Sequence, residues 1–61
     1  MSDMSVLQQA LSALKNKRRE LAAVIASGEG ALSDLSIALN NVQIGIEAVA
    51  KAIEDETKDR G

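Results

Sequence analysis

From Met4 onward an apolar residue recurs at alternating intervals of three and four along almost the whole chain. Met4, Leu7, Leu11, Leu14, Leu21 and Ile25 make the first half of the series. Leu32, Leu35, Leu39, Val42, Ile46, Val49 and Ile53 make the second. Only a helix brings residues at this spacing onto one side, and a stripe so narrow is covered by another helix laid alongside it. The pattern predicts an all-α chain held together by helix-to-helix packing.

The stripe is interrupted once by composition. Ser27-Gly28-Glu29-Gly30 places two glycines close together, and glycine just past a helix end takes up the left-handed conformation that stops it. This predicts a two-helix antiparallel hairpin: helix 1 over about residues 3–27, a turn over 27–32, and helix 2 over about 31–58. Ser2 or Asp3 is suited to cap the first helix. The second restarts near Gly30, or at Ser33 as N-cap with Leu32 and Ile37 stapled across it. Glu47–Lys51 and Glu54–Lys58 stand in the favourable order for ion pairs one turn apart. Residues 55–61 lose the apolar rhythm and are expected to fray.

The competing architecture is a single long helix in a coiled coil, because the heptad phase runs unbroken from Ile25 to Leu32 with Gly28 on the seam. Two glycines inside a helix cost about 1 kcal/mol each, which favours the hairpin. The two differ in length. A rod of this many helical residues spans roughly 80 Å, and a hairpin about half that.

Size then argues for self-association. The chain has 61 residues and lacks Phe, Tyr, Trp, His, Cys and Pro. An ordered residue costs roughly 1.5 kcal/mol of conformational entropy, while a fully buried aliphatic side chain contributes only about 1.5–3 kcal/mol. Two helices with one stripe each bury too little, so a pair of hairpins forming a four-helix bundle is the expected assembly. Leu7, Leu11, Leu14, Leu21, Ile25, Leu35, Leu39, Val42, Ile46, Val49 and Ile53 are its expected interface. Ile37, Ile44 and Ala48 lie nearly opposite the seam of helix 2, and Val24 joins a weaker patch of Val6, Ala10 and Ala13 on helix 1. Val24, Ile37 and Ile44 are therefore candidates for contact with another protein. Gly45 inside helix 2 points to a close approach of another helix.

Charge gives a second candidate. Segment 15–20, Lys-Asn-Lys-Arg-Arg-Glu, holds four of the seven basic residues. Lys15 and Arg19 share a face with Gln8 and Ser12, so Gln8, Lys15 and Arg19 are the residues that would meet nucleic-acid phosphates. Lys17 points away, and Arg18 falls on the apolar seam, where Asn40 or Asn41 stands at the right height to receive it. A polar seam residue selects register and partner at some cost in stability. The chain as a whole carries a net charge of −2, which exerts no general pull on nucleic acid or anionic membrane.

Chemistry is excluded by what is missing. With no histidine or cysteine there is no activated nucleophile and no His/Cys metal site. Glu54, Asp55 and Glu56 are consecutive on a helix and fan apart. The glycines of the turn are not followed by a lysine and do not make a phosphate loop. No cofactor and no catalysis are expected. There is no signal-peptide pattern and no apolar run near the ~20 residues that span a bilayer. The reading is a small non-enzymatic, homo-oligomeric structural or regulatory adaptor in the cytoplasm, of the size found among phage and plasmid accessory proteins. Its expected partners are itself and another protein. A nucleic-acid-binding bundle and a rod segment of a larger assembly are the alternatives.

Overall fold

A computed structural model describes residues 3–60 of the chain. It contains two α-helices, α1 over Asp3–Ser27 and α2 over Leu32–Arg60, packed against each other as an antiparallel hairpin. The long dimension is 46 Å. A helix of 29 residues is about 44 Å long at 1.5 Å per residue, so α2 alone accounts for it. The expected hairpin is thus the observed fold, and the alternative of a continuous rod is excluded.

The turn is made by the glycines. Gly28 and Gly30 both have positive φ, at 80° and 79°, where a Cβ would be strained. The Gly28 amide donates to the Ile25 carbonyl at 3.1 Å, one of the bonds that closes a helix on a left-handed glycine. Ser27 adds a local latch: its hydroxyl donates to Val24 O at 2.7 Å and accepts from the Glu29 amide at 3.3 Å. At Gly30 space is limited as well, because a Cβ there would lie 3.3 Å from Leu35 Cδ1.

The start of α2 differs from the sequence expectation. The first helical bond runs from the Leu35 amide to Ala31 O at 3.0 Å, so Ala31 occupies the capping position and Ser33 lies inside the first turn. Ala31 has no side-chain oxygen to meet the free amides. Asp34 in that turn supplies negative charge near the positive end of the helix dipole. The Leu32–Ile37 staple does not form: both residues are exposed, at 64% and 61%. Ser2, the other capping candidate, lies outside the described residues, and α1 already includes Asp3.

At the other end, α2 does not fray where the apolar rhythm stops but continues to Arg60. Lys51 pairs with Asp55 at 3.0 Å, Lys58 with Glu54 at 3.3 Å, and the Thr57 hydroxyl donates to Ile53 O at 2.9 Å. The expected Glu47–Lys51 pair is replaced by this arrangement, since Lys51 reaches forward to Asp55 and Glu47 accepts from Gln43.

The seam lies between the two helices of one chain. Leu21 and Ile46 are buried, at 8% and 7% exposure. Met4, Leu7, Leu11, Leu14 and Ile25 on α1, with Leu35, Leu39, Val42, Val49 and Ile53 on α2, are half-buried. Leu32 does not belong to it. The turn breaks the helical phase, so the heptad continuity seen in sequence does not survive into the structure. Gly45 faces Leu14, whose methyl carbons would lie 3.4 and 3.5 Å from a Cβ built on it. That pair sets the register, with the middle of α1 against the middle of α2.

Candidate functional site

Rotation along the two helices gives the hairpin two unlike long faces. On α1, Lys15 and Arg19 project to one side, and Val6, Ala10, Ala13 and Val24 to the other, as 3.6 residues per turn requires. The side bearing Lys15 and Arg19 forms a groove of about 640 Å³ lined by Lys15, Arg18, Arg19 and Ala22 of α1 with Ser36, Leu39, Asn40 and Gln43 of α2. Residues 36, 39/40 and 43 are one turn apart, so one edge of α2 forms the second bank.

Arg18 anchors this groove. It is a half-buried seam residue, and its Nη1 donates to Gln43 Oε1 at 2.8 Å across the helix interface. Gln43 Nε2 in turn donates to Glu47 Oε2 at 3.1 Å. The guanidinium thus reaches a carboxylate through one amide, and its stem lies along the apolar stripe. A hydrogen bond to a charged group contributes about 1.5–3 kcal/mol when made, and leaves a cost of similar size when its partner is removed. The expected partners Asn40 and Asn41 are corrected to Gln43. Asn40 lines the groove nearby, while Asn41 is exposed and does not line it.

The other basic residues divide as their rotation dictates. Lys17 turns away and pairs with Glu20 at 3.8 Å. Arg19 Nη1 donates to Asn16 Oδ1 at 3.1 Å, a neutral partner. Lys15 has no ion pair or hydrogen bond among the described residues. The groove lining contains no carboxylate. Gln8, grouped with Lys15 and Arg19 in the sequence, is exposed but lies outside the lining, about 10 Å further along α1 at 1.5 Å per residue. Sequence reasoning missed Ser36 and Gln43, which become part of the groove only through the way α2 is laid beside α1.

The opposite face is lightly covered and mixed: small and aliphatic residues stand beside Lys17 of α1 and Asp55 and Glu56 of α2. Val6 is 61% exposed and shares a shallow depression with Leu7, Ala52, Asp55 and Glu56. Ala13 and Ala48 are exposed, and Ala10, Ala38 and Ala52 are half-buried. Ile37 and Ile44, at 61% and 55%, stand further round the back of α2, as their spacing implied, and Val24 is 37% exposed.

Among the described residues, no group of His, Cys, Asp and Glu is arranged to hold a metal ion, and no helix is long and apolar enough to cross a membrane. Compared with known protein families, curated proteins and solved structures, the chain matches none.

Proposed function

We propose that the hairpin is a self-associating helical module, a structural or regulatory adaptor that pairs with a second copy to complete its core. The observation that carries this reading is the surface the hairpin leaves uncovered. Among the described residues only Leu21 and Ile46 are buried, while Val6, Leu32, Ile37 and Ile44 are all more than half exposed. The accessible surface is 4422 Å², against roughly 3,800 Å² for a compact monomer of this mass. The excess is what an elongated pair of helices exposes when nothing lies across it.

The face of Val6, Ala10, Ala13 and Val24 with Ala38, Ala48 and Ala52 is suited to the second copy, with Lys17, one turn from Ala13 and paired with Glu20, the charged residue it must accommodate. Small side chains let helices approach closely, and the half-buried seam residues behind them gain cover. Two hairpins stacked in this way make a four-helix bundle. Ile37 and Ile44 border this face, Ile44 one turn from Ala48, and are the candidates for contact with a different protein.

Sedimentation equilibrium tests the reading. A mass of twice the 6.4 kDa chain at low micromolar concentration is the expected result. Ala13→Glu with Ala48→Glu, both at exposed positions, should return the protein to one chain with its helices intact. A folded monomer of the unaltered protein, or a dimer indifferent to both charges, overturns it.

A further inference from the structure

We infer that the groove between α1 and α2 binds the phosphodiester backbone of a nucleic-acid strand without reading its sequence. It lies on the face opposite the one assigned to self-association, so a paired molecule would present two such grooves, and the inference stands whether or not the protein pairs. Three cations, Lys15, Arg18 and Arg19, line it together with the hydroxyl of Ser36 and the amides of Asn40 and Gln43. Six of the eight lining residues are polar or charged, and Arg, Lys, Ser, Asn and Gln are the side chains that commonly contact phosphate.

The charge on this bank is unspent. Lys15 is unpaired among the described residues, and Arg19 is held only by the neutral Asn16. Arg18 is pre-positioned by Gln43 at 2.8 Å, which lowers the cost of ordering it on a ligand. Lys15 and Arg19 are one helical turn apart, so they track a strand running along α1. The acidic residues of α2 concentrate elsewhere. With Leu14 opposite Gly45, Glu54 lies nine residues toward the open end, roughly 13 Å along the axis and beyond one Debye length at physiological salt. Glu47 is the exception: its bond from the neutral Gln43 Nε2 at 3.1 Å leaves its negative charge one turn from the groove lining, where it offsets part of the cationic bank. The chain has no aromatic residue, so base stacking contributes nothing and binding is set by backbone charge.

Fluorescence anisotropy with a labelled oligouridylate tests this. Three phosphates neutralised by Lys15, Arg18 and Arg19 give a slope of about −2.1 in log affinity against log salt, or about an eighteenfold loss between 50 and 200 mM salt. Lys15→Ala with Arg19→Ala should reduce the slope to about −0.7. Both side chains are exposed, and circular dichroism checks that the helices persist. Lys17→Ala, on the other side and paired with Glu20, should leave binding unchanged, and Glu47→Gln should strengthen it. No binding at low salt overturns the inference. So does equal loss in Lys17→Ala, or displacement by polyglutamate as effective, charge for charge, as by unlabelled oligonucleotide.

Discussion

Gly45→Ala should make the protein more stable. Glycine in a helix interior costs about 0.8–1.0 kcal/mol relative to alanine, and Gly45 lies well inside α2 with no positive φ. The new methyl group would meet the two methyl carbons of Leu14 at 3.4 and 3.5 Å, which is contact without overlap. Because the site is only half-buried, the methyl group adds a fraction of the ~0.8 kcal/mol that a fully buried carbon contributes. Together these give about 1–1.5 kcal/mol. Unfolding entropy of about 2.1 cal/mol/K per residue over 61 residues is about 130 cal/mol/K, so each kcal/mol raises Tm by about 8 °C. Thermal unfolding followed by circular dichroism at one fixed concentration reads the shift. A fall in Tm would show that α1 and α2 approach more closely than the Leu14 contact requires, and that glycine is needed there for packing.

Two further substitutions test the ends and the middle of the seam. Ala31→Ser places a hydroxyl at the capping position of α2, three residues before Asp34, and should raise the urea midpoint by the equivalent of about 1 kcal/mol; no gain would mean that Ala31 is not the capping residue. Arg18→Leu replaces a polar seam residue between Leu14 and Leu21 with an aliphatic one, and should stabilise the hairpin by about 1 kcal/mol despite losing the bond to Gln43, because well-packed apolar groups commonly outperform partly buried charge. A lower urea midpoint for that variant would show that the Arg18–Gln43–Glu47 chain is itself a net source of stability.

The helical character of this protein was legible because it rests on local physics: aliphatic residues at intervals of three and four, good helix formers between them, and no proline. The reversal was legible for a similar reason, since Gly28 and Gly30 take the left-handed conformation that other residues resist. The outward direction of Lys17, Ile37 and Ile44 followed from rotation within a single helix. None of these required knowledge of how the helices meet.

What only the tertiary structure decided depends on the phase of α2 relative to α1. Four residues of turn set that phase, and their backbone angles have no periodic signature in the sequence. Arg18 was recognisable as an anomaly of its stripe, but its partner was not. A rotation of α2 separates Asn40 and Asn41 from Gln43, and in the packed hairpin, with Leu14 beside Gly45, it is Gln43 that meets Arg18. The same choice left Leu32 outside the seam and carried Ser36 and Gln43 to the edge facing Lys15 and Arg19. Sequence determines which side of each helix is greasy or charged, because that is geometry within one element. Which two charged or polar edges become neighbours is geometry between elements, and only close packing of side chains across the hairpin fixes it.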